Sequence, residues 1–242
     1  MVIISIHYCG EAALKKTIDS LDEQSIRVNH LIKSADVESL AWLKTSKCRE
    51  VVSLPDKGVY DALNQAMGYM KSNDIIGFLH AGDTFSSANT LENIEQEFLN
   101  NPKCTWLYSG VEIEGHKGKS NRIWQPSKFR KWKMYFGYMP PHLGVFFRKE
   151  VFDAIGLFNE EFEISGDYDW LLRLMKSDFP SKRFKEISVI MEPQGKSANT
   201  LQGLSKKMRE DIKAIRSSLG LPIFLAFGVW LGKIIRKTSQ FF

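Results

Sequence analysis

Residues 50–66 read Glu50-Val51-Val52-Ser53-Leu54-Pro55-Asp56-Lys57-Gly58-Val59-Tyr60-Asp61-Ala62-Leu63-Asn64-Gln65-Ala66. The apolar start is a strand over residues 50–54 that Pro55 stops. The charged turn through Gly58 then opens a helix, whose apolar positions Tyr60, Leu63, Met67 and Met70 recur at helical spacing to about residue 71. A strand feeding a helix through a short turn is the repeating unit of a parallel α/β sheet, and such turns lie at the sheet edge where ligands bind. Gly58 permits close backbone approach, the helix N-terminus favours an anion, and Lys57 adds a positive point charge. Together they suit a phosphate, although a strand-turn-helix with one glycine is common.

The same unit recurs on either side. Residues 2–8 are a short, β-branched apolar run that reads as a buried strand, and residues 11–24 place Leu14, Ile18 and Leu21 on one helix face. A second strand is expected around His30 to Ile32, a helix over about 37–45, and another strand over 75–79. Asn89 with Glu92 forms a capping-box pattern before a helix through Phe98. Farther on, residues 106–113 read as a longer strand, 115–141 as an aromatic and basic stretch, and 149–157 and 168–177 as helices. Residues 205–219 form an amphipathic helix with Met208, Ile212, Ile215 and Leu219 on one face, ended by Gly220 and Pro222. The expected fold is α/β, a mostly parallel central sheet flanked by helices, with a C-terminal helical extension.

Composition agrees. A chain of 242 residues with 43% hydrophobic and 25% charged residues excludes long disordered, collagenous and coiled-coil readings. It can bury a core without disulfides or structural metal. Cys9, Cys48 and Cys104 are widely spaced with no CxxC pair, which points to a reducing compartment. The N-terminus shows no basic region and no cleavage site of a signal peptide, so the chain is expected to stay in the cytosol.

The net charge of +5 is segregated: residues 116–149 carry +9 with no acid, residues 206–242 carry +6, and the rest is acidic. Two basic blocks suggest an anionic partner such as phosphate, nucleic acid or lipid headgroup. Residues 221–232 are nearly all apolar, including Phe224, Phe227 and Trp230, and are followed by Lys233, Arg236 and Lys237. As a helix these twelve residues span about 18 Å, short of a bilayer core of roughly 30 Å. Such a segment suits a headgroup interface at an anionic membrane surface. Packing on the domain or on a second subunit is the alternative.

Two more segments carry acids. Phe78-Leu79-His80-Ala81-Gly82-Asp83 sets a carboxylate just past a strand, where it can hold Mg²⁺ or Mn²⁺ against a diphosphate or merely cap a turn. Ile164-Ser165-Gly166-Asp167-Tyr168-Asp169-Trp170-Leu171-Leu172-Arg173 sets two acids at a helix start, where the dipole favours the ionised form. Asp169 can pair with Arg173 at i,i+4, which leaves Asp167 freer to act as a base or as an N-cap.

In this order the three segments resemble the family 2 glycosyltransferases of GT-A fold, especially bacterial enzymes that build surface polysaccharides. The family's D-K-G-[IV]-Y-D-A-x-N stretch is present as Asp56 to Asn64, its strand-end acidic motif as His80 to Asp83, and its [EAG]-D-Y-D-x-x-x-R segment as Gly166 to Arg173. Pro141-His142 through Phe146 and Arg148, Asn159-Glu160-Glu161-Phe162, and Gln202-Gly203-Leu204-Ser205 match further family segments, the last an acceptor-side loop. The resemblance covers about residues 1–219. It implies a catalytic domain over 1–205 and an extension over 206–242.

The resemblance further implies transfer of a sugar from a nucleotide diphosphate to an acceptor hydroxyl with inversion. Asp83 would bind a divalent cation, Mn²⁺ or Mg²⁺, and Asp167 would deprotonate the acceptor. Asp56, Lys57, Gly58, Tyr60, Asp61 and Asn64 would line the donor side, joined by His142 and Arg173. Trp124, Trp132, Tyr135 and Tyr138 are candidates to stack on an acceptor sugar. The acceptor would be a growing or lipid-linked glycan, and the enzyme peripheral at the inner face of the cytoplasmic membrane. Two departures stand out: Lys33 replaces the acid that reads the nucleobase in the family, with Asp36 nearby in sequence, and Gly82 replaces the first strand-end acid.

Two other classes compete. Lys128, Arg130, Lys131 and Lys133 interleave with Phe129, Trp132 and Tyr135 as in single-strand nucleic-acid binders, but no other element of such a motif accompanies them, and no nucleic acid is expected. The missing acids at positions 33 and 82 also allow a GT-A domain that binds without catalysing.

Overall fold

The structure, a computed structural model, describes residues 1–8, 10–35, 42, 50–115, 122–192 and 201–238. In chain order the elements begin with β1 (Val2–His7), α1 (Glu11–Asp22), β2 (Asn29–Ser34), β3 (Glu50–Ser53), α2 (Val59–Met67), β4 (Ile75–Phe78), β5 (Thr84–Phe85) and α3 (Thr90–Asn100). They continue with β6 (Trp106–Ile113), β7 (Arg122–Trp124), β8 (Val145–Arg148), α4 (Lys149–Ile155), α5 (Gly166–Lys176), β9 (Ser181–Met191), α6 (Leu201–Leu219) and α7 (Ile223–Thr238). Two 3-10 turns, Lys131–Phe136 and His142–Gly144, fill the aromatic stretch before β8.

Among the described residues the strands form one nine-stranded sheet in the order β3-β2-β1-β4-β8-β6-β9-β5, with β7 paired to β6. The block β3-β2-β1-β4 is parallel, as its strand-helix alternation requires. β1 is buried along its whole length, as expected of a central parallel strand. Beyond β4 the sheet turns mixed: β8 runs antiparallel to both β4 and β6, whereas β6 and β9 run parallel. Trp106, Phe146, Phe147 and Trp170 are fully buried in the core beside these strands, with Phe147 and Trp170 ring centroids 4.9 Å apart.

Several local expectations change. α2 ends at Met67 because Gly68 turns back to the Gln65 carbonyl. The Asn89–Glu92 capping box does not form: Ser25 donates to Glu92 at 2.7 Å, and the Ser87 amide is taken by Thr90 Oγ1 at 3.1 Å. Residues 202–205 are the first turn of α6 rather than a loop. β9, whose sequence alternates imperfectly, was not anticipated. The helix expected over 37–45, with Asp36, lies outside the described residues apart from Trp42, as do Cys9 and Cys48; Cys104 is a buried free thiol.

The C-terminal helices pack on the sheet domain. α6 lies against α5, and α7 leaves α6 at a bend of 117° to lie on the 131–136 turn. The contact is backbone-close: a Cβ on Gly232 would meet the Phe136 carbonyl at 2.8 Å. Ala226 and Val229 are buried there. No single described helix is long and apolar enough to cross a membrane.

Candidate active site

The parallel strands deliver the turns after β1, β3 and β4, with the end of β2, to one edge of the sheet, and α5 begins opposite them. At the donor turn Asp56 sits in a closed set of bonds. Lys33 reaches it at 2.8 Å with both side chains essentially buried, and donates to the Leu54 carbonyl at 2.6 Å and the Ser34 carbonyl at 3.4 Å. Tyr8 and the Gly58 amide complete the shell around Asp56 at 3.3 and 3.2 Å. A buried ammonium needs a counter-charge and acceptors for its three protons, and this is what Lys33 has. Lys33 thus braces the turn from below.

Two acids tie the turn that leads into α2, and no side chain caps the helix itself. Asp61 accepts from the Lys57 amide at 2.8 Å and from Gln65 at 3.1 Å, while Asp56 takes the Gly58 amide. The Lys57 and Gly58 amides are therefore engaged, and Lys57 and Gly58 are exposed at this turn. Gly58 has a φ of 141°, which favours glycine, and a Cβ there would meet no protein atom within 4 Å, so the backbone lies open at this turn.

Asn64 and Arg173 act as braces. Asn64 donates to the Phe158 carbonyl and Glu160 and accepts from the Phe158 amide at 2.9 Å. Arg173 pairs with Asp169 at 3.0 Å and donates to the Ile155 and Leu157 carbonyls at 2.7 Å each. Asn64 is thus tied to the segment after α4, and Arg173 to Asp169 and that same segment; neither lines the cavity described next, and Arg173 lines a separate surface pocket with Asp169 and Asn159.

The cavity, about 330 Å³, is lined by Tyr60, His80, His142, Phe158, Asp167 and Trp170 among others. Asp167 is the second residue of α5. Ser165 takes the N-cap position, so the Asp167 carboxylate is not consumed as a cap. His142 Nδ1 lies 3.3 Å from Asp167 Oδ2, and Tyr60 Oη lies 3.4 Å from Oδ1 while donating to the Ile164 carbonyl at 2.8 Å. The His80 and His142 rings are 6.0 Å apart. Trp132, Tyr135, Trp124 and Tyr138 do not line the cavity; Trp132 and Tyr135 are exposed elsewhere, and Tyr138 is buried on Phe129.

Burial pushes His80 down to about 4, with His142 adding to the fall. Burial likewise lowers His142, more than Asp167 raises it, so both imidazoles are neutral near pH 7. For Asp167 burial works upward, but His142, Lys207, Lys233 and the Tyr168 amide outweigh it and hold the carboxyl below the usual range. An ionised, partly exposed carboxylate beside a neutral imidazole is a base ready to take a proton.

Two groups in this region escaped the sequence reading. Glu210 on α6 accepts from the Ile164 and Ser165 amides at 2.8 and 2.9 Å, and Asp211 accepts from the Ser165 hydroxyl at 2.7 Å and from Lys233 at 2.9 Å. These acids fix the start of α5, and so the position of Asp167. A signal was present: Asp211 lies one turn before Ile215, on the apolar face of the helix.

The second is Glu192, just after β9. Asp83 accepts from the Glu192 amide at 2.9 Å, and a Cβ built on Gly82 would lie 2.1 Å from Glu192 Oε2. The Glu192 carboxylate fills the space of the side chain missing at position 82. Burial, with the nearby Glu192 carboxylate, pushes Asp83 up to about 7. No group of three or more His, Cys, Asp or Glu side chains gathers as a metal shell among the described residues. A carboxylate pair fits a hard cation that completes its shell with phosphate oxygens and water.

No protein-family model matches the chain. It is similar to an uncharacterised glycosyltransferase of Mycobacterium tuberculosis, 26% identical over 178 residues that cover 71% of this chain and 67% of the relative. A PGL/p-HBAD biosynthesis glycosyltransferase of Mycobacterium bovis is 25% identical over 172 residues, covering 70% of this chain and 62% of its own. Among solved structures, S. aureus TarS in complex with UDP-GlcNAc matches with a TM-score of 0.68 at 12% identity, over 98% of this chain and 72% of that one. A mannosyltransferase from Pyrobaculum calidifontis in complex with GDP-Man and Mn²⁺ matches with a TM-score of 0.65 at 10% identity, over 98% and 73%. The chain therefore has the fold of these glycosyltransferases, a sheet flanked by helices with a C-terminal helical part.

Proposed function

We propose that this chain is an inverting glycosyltransferase that moves a sugar from a nucleotide-diphosphate donor to an acceptor hydroxyl. The observation that carries the reading is Asp167: a carboxylate held ionised in a cavity, aligned by His142 and Tyr60 and braced from α6. Similarity to curated glycosyltransferases, and to structures holding UDP-GlcNAc and GDP-Man, supports the same reaction class.

In this reading Asp167 takes the proton of the acceptor hydroxyl as its oxygen bonds to the anomeric carbon. The bond from that carbon to the diphosphate oxygen breaks, and its electron pair leaves with the nucleotide on the opposite face, which inverts the centre. Neutral His142 donates through Nδ1 to the carboxylate and orients its remaining lone pairs toward the acceptor. Lys57 offers positive charge to the diphosphate side. A divalent cation, Mn²⁺ or Mg²⁺, would neutralise the charge developing on the leaving diphosphate, and Asp83 and Glu192 are the carboxylates that would hold it.

Thermal stabilisation by UDP, GDP, dTDP and CMP, each with and without Mn²⁺, tests the donor side, because a ligand that binds only the folded state raises the melting temperature. A cation-dependent rise with one nucleotide, absent in Asp83→Ala, is expected. No rise with any nucleotide would leave a domain without a nucleotide donor and overturn the reading.

A further inference from the structure

α7 is apolar on both sides. Ala226 and Val229 face the domain and are buried, while Lys233 turns inward to Asp211 and lies over the Tyr168 ring. The opposite face exposes Ile223, Phe224, Phe227 and Leu231, a stripe at helical spacing, with Phe227 half-buried against Trp230 of the same helix. The turn on which α7 rests adds Trp132, Tyr135 and Phe136, exposed at 54%, 42% and 59%. An apolar surface of this kind on a soluble face marks an interaction site.

Its charge says which kind. Packing α7 on the 131–136 turn joins the two basic sequence blocks, which lie far apart in the chain. Arg236 of the second donates to the Phe136 carbonyl of the first at 3.0 Å. Lys237 lies within electrostatic reach of Arg122 and of Lys207 on α6, and Lys128 and Arg130 are exposed just before the turn. A second copy seated on this face by a two-fold axis would set these cations against their own images. A bilayer with anionic headgroups answers both features, accepting the aromatics at its interface and the cations at its phosphates.

We infer that the outer face of α7 and the exposed aromatics of the 131–136 turn form one surface that docks on an anionic lipid bilayer, with α7 lying in the headgroup plane. At sixteen residues α7 is about 24 Å long, which suits lying along the interface and not crossing it. Lys233 carries the other side of the same helix to within electrostatic reach of Asp167. Docking would therefore hold the cavity close to the lipid surface. If the glycosyltransferase reading holds, an acceptor anchored in that surface is the one best placed to reach the base.

Co-sedimentation of the full chain with phosphatidylcholine vesicles, with and without phosphatidylglycerol, tests the docking itself and does not depend on the enzymatic reading. Binding to the anionic vesicles that weakens with salt is expected. It should fall about tenfold or more in Ile223→Ser/Phe224→Ser, at residues that are 61% and 70% exposed, with an unchanged melting temperature. Tryptophan emission should shift to shorter wavelength on the vesicles and lose most of that shift in Trp132→Phe, because the turn takes part and not the helix alone. Equal binding by the double variant, or an emission shift independent of Trp132, would overturn the proposal. So would absence of vesicle binding together with a dimer in light scattering that the double variant dissociates, since the occupant would then be a second copy.

Discussion

The Glu192 carboxylate stands where a side chain on Gly82 would be, 2.1 Å from the position of that absent Cβ, with its own amide bound to Asp83. A second carboxylate thus comes to stand beside Asp83 from the residue after β9, the neighbour of β5. If the pair holds a divalent cation with the donor diphosphate, Glu192→Gln keeps shape and removes one charge. Calorimetric titration of Mn²⁺ in the presence of the stabilising nucleotide should then show affinity reduced about tenfold, or ~1.4 kcal/mol. Asp83→Asn should reduce it further. Wild-type affinity in Glu192→Gln would leave Asp83 as the sole protein ligand and reject the pair.

The raised Asp83 also makes a statement about stability. Its carboxyl titrates near 3.8 ordinarily and about 7 in the fold, so between those values the folded state binds more proton than the unfolded one. Stability without cation should therefore fall as pH rises from about 4 to about 7, by an amount on the order of 2–4 kcal/mol at most. Asp83→Asn cannot ionise and should flatten that slope, becoming more stable than wild type near pH 8. Cation affinity should move the opposite way and strengthen over the same window, because the cation must displace the proton. Urea unfolding at a series of pH values checks the first trend. Parallel slopes for wild type and Asp83→Asn would contradict it.

Lys33 and Asp56 make the clearest structural prediction. Lys33→Met leaves Asp56 buried and without its counter-charge, which should cost about 3–5 kcal/mol. Lys33→Met/Asp56→Asn keeps the acceptor for Tyr8 and the Gly58 amide while removing both charges, and should regain much of that loss. A double-mutant cycle by urea unfolding gives the coupling. Additive effects would show that the pair does not brace the donor turn.

The apolar runs of β1, β4 and β6 were legible because strands covered on both faces are mostly apolar, Ser5, His7 and Ser109 being buried among them, and the order of turns and helices then dictated the parallel block. Asp167 and Asp169 were separable for a similar local reason, since i,i+4 spacing hands Asp169 to Arg173. Pairings between segments far apart in the chain leave no such trace. Glu192 reaches Gly82, Glu210 reaches Ser165 and Lys33 reaches Asp56 over separations that no periodicity encodes. The capping box failed on the same ground: Glu92 had the spacing of a cap, but Ser25 of a distant loop was nearer. The exposed face of α7 was readable as apolar from sequence, whereas its union with the 131–136 turn was not.

In the proposed reaction Asp167 is the base, and its surroundings predict how it should fail. Asp167→Asn keeps size and the contacts to His142 and Tyr60 but cannot take a proton. Turnover should drop about 10²–10⁴-fold, while nucleotide-induced stabilisation stays as in wild type. His142→Gln and Lys207→Met each remove a group that favours the ionised form, so the Asp167 carboxyl should titrate higher and activity on the acid side should be lost at higher pH than in wild type. That displaced acid limb separates the two residues from mere packing, which would lower turnover equally at every pH. An unshifted limb in both variants would mean that neither His142 nor Lys207 holds the base. Full turnover in Asp167→Asn would place the proton acceptor elsewhere in the cavity.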